Sequence, residues 1–234
     1  MARLSRLVVP GRLHLVLQRA HGAGGVFRSD DDYASYKRAL TASAVEQRVA
    51  LHAFALTPSQ VLLLLTPSTA MGISRMLQAV GRRFGADYNR RHQRSGALWE
   101  GRFRTTVMAD AHLFDGSLHI EWAPVRAGVA AVPEDYPWSS AAHHVGRGVD
   151  PAITEHPRYW SLGNTPFERE ATYRRLLEQP LSPALEARLD AAVMKGWALG
   201  DAGFVQSLAG EAPRRVAPLP RGRPRRTAHK TVPK

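Results

Sequence analysis

The chain of 234 residues contains no cysteine, so a disulfide framework and a thiolate zinc site are both excluded. It also has no long apolar run, since no segment approaches the ~20 consecutive apolar residues that a membrane helix needs. The apolar residues 7–9 stop at Pro10 and Gly11, which is too short for the core of a signal peptide. These absences predict a soluble protein of the reducing cytoplasm, with no membrane partner.

Acidic residues are scarce in two segments. Residues 75–104 carry eight arginines against Asp87 and Glu100, and residues 213–234 carry eight basic residues and no acid. The net charges are +6 and +8, so the remainder of this +12 chain carries −2. Concentrated positive charge favours polyanions through counterion release. Charge placed for solubility alone would not leave the remainder slightly acidic, so we expect a nucleic acid partner.

The hydropathy pattern predicts four strands and three helices in the order strand, helix, strand, strand, helix, strand, helix. Strands are predicted over residues 12–19, 49–57, 60–66 and 98–108, the third as a central strand because its Val-Leu run is unbroken. Helices are predicted from Ser29 to about residue 47, over 70–92, and from Asp110 to Trp122, before Pro124. This order predicts an α+β fold, a ferredoxin-like split βαβ sheet packed by helices.

Three segments are predicted along the chain. Residues 1–145 contain the predicted sheet, and residues 146–212 form a loop-rich extension with helices over about 166–179 and 183–196. Residues 213–234 are dominated by proline and arginine without any apolar repeat, which is typical of a disordered tail.

Several motifs occur in a characteristic order. They are RLSRLVVPGRLHLV at 3–16, LHAFALTPSQVLLLLTP at 51–67, a segment at 72–104 ending in GALWEGRFR, IEWAPVRAG at 120–128 and YPWSS at 136–140. In this order and spacing they resemble the HUH-type single-tyrosine transposases associated with repetitive extragenic palindromes in bacteria. The resemblance spans nearly the whole chain. It implies that residues 1–145 bind DNA, as hairpins or single-stranded ends, in association with the nucleoid.

The resemblance also implies a specific chemistry. Two strand histidines separated by one residue share a face and hold Mg²⁺ or Mn²⁺, which polarises the scissile phosphate. A helical tyrosine attacks phosphorus, and a polar amide lies four residues later on the same face. This sequence departs at all four positions: the metal ligands align with Gln60 and Leu62, the nucleophile with His119 and the amide with Ala123. We therefore expect no catalytic residue, no metal and no cofactor.

Other residues could in principle replace the lost groups. His119 could attack phosphorus itself, but it has no metal facing it. His112 shares a helical face with His119, yet the pair lacks a third convergent ligand. Tyr88 could be a displaced nucleophile, although a core or surface role is more expected. His143 and His144 fall in a predicted loop, where their adjacency is interpreted as chance.

The features for binding DNA are retained. The predicted contacts are Arg75, Arg82, Arg83, Arg90, Arg91, Trp99, Arg102, Arg104, Arg221 and Arg223. Some arginines of the predicted helix over residues 70–92 must face solvent, because only one side of a helix can contact a partner. Trp99 is as compatible with core packing as with stacking on an unpaired base, and Phe103 is more compatible with the core. The tail sequence PRGRPRR at 220–226 looks like an AT-hook, which would place Arg221 and Arg223 in the minor groove of A·T-rich DNA.

Four functions are therefore compatible with the sequence. The favoured one is a DNA-binding protein that has lost catalysis. The second is an active transposase that cuts and rejoins DNA with a rearranged site. The third is an RNA-binding or regulatory protein. The fourth is a decaying gene product, but the apolar segments that would form the core are intact, which argues against it.

Overall fold

One antiparallel sheet of four strands organises the protein. The structure is a computed structural model that describes residues 5–22 and 24–218. The strands are β1 (Leu13–Arg19), β2 (Val49–Thr57), β3 (Gln60–Pro67) and β4 (Arg104–Met108). Their order is β2-β3-β1-β4, and every neighbouring pair is antiparallel. β3 thus lies between β1 and β2, which confirms the predicted ferredoxin-like split βαβ sheet.

Helices cover both faces of the sheet. They are α1 (Asp30–Glu46), α2 (Gly72–Arg91), α3 (Leu113–Glu121), α4 (Ala123–Arg126), α5 (Ala141–His144), α6 (Pro166–Leu177), α7 (Pro183–Lys195) and α8 (Ala202–Leu208). Local sequence sets several ends. Asp32 accepts from the backbone N–H groups of Arg28 and Ser29 and so closes the start of α1. Gly196 ends α7 with a φ of +68°, a conformation that favours glycine.

The alternation of side chains along the strands divides the core into two layers. Leu63 and Leu65 of β3 pack with Val16 of β1 against α1 and α2. Leu62 and Leu64 point to the other face, where α3 and α7 cover them. The unbroken apolar run of β3 therefore lies in a central strand buried on both faces, as predicted.

The fourth strand is shorter than predicted. The prediction of a strand over residues 98–108 is wrong for residues 98–103, because β4 begins at Arg104. β1 pairs with β4 only as far as Leu17 and Arg104, and the preceding segment is held beside the end of β1 by separate hydrogen bonds, from the N–H of Glu100 to the carbonyl of Arg19 and from the N–H of His21 to the carbonyl of Leu98. Trp99 forms only an isolated bridge to Ala20. Residues 98–103 instead pass over the end of β1.

The helix predicted from Asp110 to Trp122 is divided. It opens as a 3-10 turn (Asp110–His112), continues as α3 and is followed directly by α4. Pro124 lies in the first turn of α4, where its missing N–H costs no helical hydrogen bond. The proline therefore starts a second helical turn, which the sequence did not predict.

The extension packs on the sheet. Leu189 and Val193 of α7 are buried against the leucines of β1 and β3, and Leu199 bridges to Met108 of β4. The predicted helices α6 and α7 are present, whereas α8 was not predicted. Val216 of the basic tail is buried with Leu208. Residues 219–234, including the AT-hook-like segment with Arg221 and Arg223, lie outside the described residues. None of the described helices is long and apolar enough to cross a membrane.

Candidate functional site

The positions aligned with the metal ligands lie on the face covered by α3 and α7. Gln60 is opposite Arg19, and Leu62 is opposite Leu17. Leu62 is 3% exposed and packs among leucine and alanine side chains. Leucine has no donor atom, Gln60 supplies one neutral oxygen, and the guanidinium of Arg19 would repel a cation. The described residues contain no group of three histidines or carboxylates able to hold a metal. These positions therefore do not fit Mg²⁺ or Mn²⁺.

His119, at the position of the nucleophile, is enclosed. Its side chain is 3% exposed, and its Nε2 lies 3.5 Å from Oδ1 of Asp190 on α7. Burial, with a smaller contribution from Arg126, lowers the pKa of His119 to about 3. The imidazole is therefore neutral at physiological pH. Ala123, at the position of the amide, is equally buried. α7 separates His119 from any DNA strand that would lie on the molecular surface.

The other candidate nucleophile is also a core residue. Tyr88 is fully buried, and its ring packs beside Phe84 and His92. Its hydroxyl has no hydrogen-bond partner among the described residues. His112, which was considered together with His119 as a possible metal ligand, pairs with Asp115, with its Nδ1 2.8 Å from Oδ2 of that residue. The core interpretation of Tyr88 therefore fits its surroundings.

A basic cleft of about 500 Å³ lies beside these positions. It is bounded by the end of β1, residues 100–105, the end of α7 and the start of the C-terminal tail. Six basic side chains and one acidic side chain line it: Arg6, Arg19, Arg102, Arg104, Lys195, Arg214 and Glu100. Convergence of this many positive charges on one concave surface attracts a polyanion.

Backbone carbonyls fix several of these guanidinium groups. Arg104 donates to the carbonyl of Met194 at 3.2 Å. Arg214 donates to the carbonyls of Ser5 and Gly196, both at 2.5 Å. A guanidinium has five N–H donors, so these contacts leave others free for phosphate oxygens. The basic cleft is thus preorganised as well as positively charged.

An aromatic ring holds Arg6 in place at the wall of the basic cleft. Its guanidinium lies 3.8 Å from the ring centre of Phe103, and its Nε donates to the Phe103 carbonyl at 3.2 Å. Phe103 is 8% exposed, which agrees with its core interpretation. The Arg6 guanidinium therefore covers one face of the Phe103 ring. Trp99 is half-buried and packs edge-on against Tyr36, with ring centres 5.8 Å apart.

The arginines of α2 that were predicted to contact DNA lie apart from the basic cleft. α2 packs on the opposite face of the sheet. There Arg83 pairs with Glu46 at 2.6 Å, Arg90 with Asp87 at 2.5 Å, and Arg91 with Asp32 at 2.9 Å. Arg75 and Arg82 are exposed. Of the eight predicted DNA contacts that lie in the described part of the chain, only Arg102 and Arg104 line the basic cleft.

A second cavity, the side pocket, adjoins the basic cleft and shares Arg19 and Glu100 with it. Its volume is about 360 Å³. The other lining residues come from the residue after β1, from the start of β3 and the residue before it, and from the α4 region: Ala20, Ser59, Gln60, Ala123, Arg126 and Ala127. Two of the four aligned catalytic positions, Gln60 and Ala123, therefore line this pocket.

Sequence reasoning missed four basic residues of the cleft. Arg6, Arg19, Lys195 and Arg214 come from distant parts of the chain and share no local motif. Only the tertiary fold brings them together. The isolated arginine at the end of β1 was the one available signal, because a charged residue that closes an apolar strand lies where the strand leaves the core.

Sequence reasoning also missed a buried polar network. Glu121 of α3 is fully buried. It accepts hydrogen bonds from Ser140 Oγ at 2.5 Å and Tyr173 at 2.7 Å, and its Oε1 lies 2.6 Å from Nδ1 of His144. His144 lies in α5, so its placement in a loop was wrong. The network joins the IEWAPVRAG and YPWSS motifs, and it is a structural contact away from the basic cleft.

Comparison with known proteins identifies the fold. No family model and no curated protein matches the sequence. Among solved structures, the chain is similar to a REP-associated tyrosine transposase bound to a REP hairpin, with a TM-score of 0.54 and 16% identity, over 67% of this chain and 92% of that chain. It also matches a provisionally assigned transposase from Deinococcus radiodurans, with a TM-score of 0.36 and 20% identity, over 48% of this chain and 89% of that chain. The first similarity shows that the protein has a tyrosine transposase fold.

Proposed function

We propose that the protein binds DNA in the basic cleft and neither cuts nor joins it. The observation that carries the proposal is the convergence, within the described part of the chain, of six basic side chains and one acidic side chain on one concave surface. Binding by such a surface draws its free energy mainly from phosphate contacts and counterion release. The protein of similar fold that was solved with a REP hairpin supports DNA as the polyanion.

The form of DNA proposed is a hairpin or a single-stranded end. A cleft of about 500 Å³ is narrow compared with a duplex, so one strand would enter it. The duplex part of a hairpin would lie outside. Arg102 and Arg104 are exposed, and they would contact the phosphates at the junction of the two parts.

Catalytic silence is proposed because the side chains at the four aligned positions cannot perform the reaction. Gln60 and Leu62 cannot bind the cation, and His119 is enclosed under α7. Restoring one side chain would leave the other three positions changed. The DNA strand would therefore be held without forming a covalent link to the protein.

The tail adds a second proposed contact. Arg221 and Arg223, in the AT-hook-like segment, would enter the minor groove of A·T-rich DNA. A single segment of this kind binds weakly, so it would strengthen attachment to DNA that the basic cleft already holds. Association with the nucleoid would follow from both contacts.

The test compares two pairs of exposed arginines on opposite faces of the sheet. Affinity for a hairpin with a single-stranded flank is measured by fluorescence anisotropy between 50 and 200 mM salt. For Arg102→Ala with Arg104→Ala, we expect the slope of log affinity against log salt to fall by about 0.7–0.9 per residue. Arg75→Ala with Arg82→Ala removes the same charge from α2 and should leave the slope nearly unchanged.

Two results would contradict the proposal. An equal loss from the α2 pair would show that charge matters but that the basic cleft is not the site. Absence of any salt-dependent binding by the unaltered protein would exclude DNA binding itself. A matched RNA hairpin, bound as tightly as the DNA hairpin, would instead favour an RNA partner.

A further inference from the structure

The two ends of the described chain meet in one wall of the basic cleft. The N-terminal segment, residues 5–9, has two buried apolar side chains, Leu7 and Val9. Both belong to one cluster with Leu208 and Val216 from the C-terminal part of the chain. Packing therefore holds the middle of the N-terminal segment, whereas its first two residues line the basic cleft outside that cluster.

Arg214 joins three parts of this wall through one guanidinium. Its Nε donates to the carbonyl of Ser5 and its Nη2 donates to the carbonyl of Gly196, both at 2.5 Å. Its Nη1 donates to the carbonyl of Arg215 at 2.8 Å, and the guanidinium lies 5.1 Å from the ring centre of Trp197. All three nitrogens are thus engaged within the protein, in the fixed fork geometry of a guanidinium.

The contact with Gly196 places the charge of Arg214 at the end of α7. Gly196 closes that helix, and the last carbonyls of a helix carry a partial negative charge that a nearby cation stabilises. Burial, with a smaller contribution from Arg215, lowers the pKa of Arg214. The guanidinium is therefore partly withdrawn from solvent and satisfied by backbone carbonyls, which suits a role in holding segments together.

The contacts of Arg214 lie next to two other cations of the basic cleft. Ser5 directly precedes Arg6, and Gly196 directly follows Lys195. Both neighbouring side chains, Arg6 and Lys195, line the basic cleft. Because each cation is attached to the backbone beside a carbonyl that Arg214 holds, a shift of either segment would move its charge away from a bound strand.

We propose that Arg214 is a positioning residue of the basic cleft, which holds the N-terminal segment and the end of α7 together so that Arg6 and Lys195 face the same DNA strand. This inference rests on the proposed function and adds that the two ends of the chain complete the binding surface. A phosphate contact alone needs only the positive charge of Arg214, whereas positioning needs its planar fork of donors, which lysine does not have.

The experiment replaces Arg214 by lysine, which keeps the charge and removes the fork. Affinity for the hairpin with a single-stranded flank is measured by fluorescence anisotropy over a range of salt concentrations. Arg214→Lys should weaken binding on the order of tenfold. It should also lower the slope of log affinity against log salt by about 0.7–0.9 for each phosphate contact that is lost. The net charge is unchanged, so a lower slope reports displaced cations.

Further variants separate positioning from a general loss of structure. Arg188→Lys, at an exposed position of α7 outside the basic cleft, is the matched control and should keep both affinity and slope. Arg6→Ala and Lys195→Ala are each combined with Arg214→Lys, and at least one pair should be less than additive, since a displaced cation has little left to lose. Circular dichroism establishes that each variant is folded.

A second replacement of Arg214 covers the case in which lysine is not tolerated in the half-buried site. Arg214→Gln removes the charge and keeps one N–H donor group. If Arg214 acts only as a charge, the slope should fall by about 0.7–0.9. If it positions Arg6 and Lys195, the slope should fall by more than that of one contact.

The outcomes separate the two proposals. If Arg214→Lys keeps the affinity and the slope of the unaltered protein, or if both of its pairs are additive, the positioning role is overturned, while salt-dependent binding still supports the proposed function. A slope lowered by only one contact in Arg214→Gln would overturn it as well. If the unaltered protein shows no salt-dependent binding to the hairpin, both proposals are overturned. A lower slope in Arg214→Lys that Arg188→Lys does not show is the result that supports positioning.

Discussion

Leu62 and His119 show how single side chains change what a fold can do. Leu62 lies in a dry cluster of leucine and alanine side chains, and His119 is neutral and covered by α7. The four substitutions could be read from the sequence, because motif spacing locates each position along the chain. The enclosure of His119 could not, because the covering residue Asp190 lies far along the chain in a helix whose docking depends on tertiary packing.

At Leu62, we expect the replacement Leu62→His to destabilise the protein. An imidazole there would be buried on a covered strand with few partners, which costs about 1–3 kcal/mol beyond the lost packing. Urea unfolding measures the change, and Leu62→Met, which nearly conserves volume, should cost less than about 1.5 kcal/mol. An unchanged free energy of unfolding for Leu62→His would contradict the interpretation of Leu62 as a packed core residue of the sheet.

α7 is the element that most changes the expected organisation of the molecule. Its helical pattern was predicted, but its position against β4, β1 and α3 was not, since amphipathicity shows that a helix has a buried side and does not show which element covers it. The bounds of β2 were predicted correctly, because its length and its apolar composition can be recognised from the local sequence alone. α5 and α8 were missed because short helices carry little periodic signal and depend on tertiary contacts.

The packing of α7 predicts that the sheet and the extension unfold together. Leu189→Ala removes a fully buried side chain between α7 and the sheet, so it should lower the free energy of unfolding by about 2–5 kcal/mol. Intrinsic fluorescence of the five tryptophans and far-ultraviolet circular dichroism should report one shared transition. Arg188→Ala, at the neighbouring exposed position, is the control. Two separate transitions would instead support an independent domain over residues 146–212.

At the scale of the whole molecule, the positions of the charged side chains matter more for binding a polyanion than the net charge does. The +12 charge of the sequence predicted a polyanionic partner, but the fold decides which cations act together. It pairs three arginines of α2 with carboxylates and gathers six cations from distant segments into the basic cleft. Composition predicts the partner class, whereas a surface assembled from separate segments becomes visible only when the chain is folded.

The central claim is that DNA is bound without being cut. A labelled hairpin with a single-stranded flank is incubated with the protein, with and without Mg²⁺ or Mn²⁺, and each sample is divided between a native gel and a denaturing gel. We predict a complex in the native gel that weakens with salt, is independent of the metal and leaves no covalent band after denaturation. A covalent protein–DNA band that His119→Ala or Tyr88→Phe abolishes would contradict the account and establish a new nucleophile.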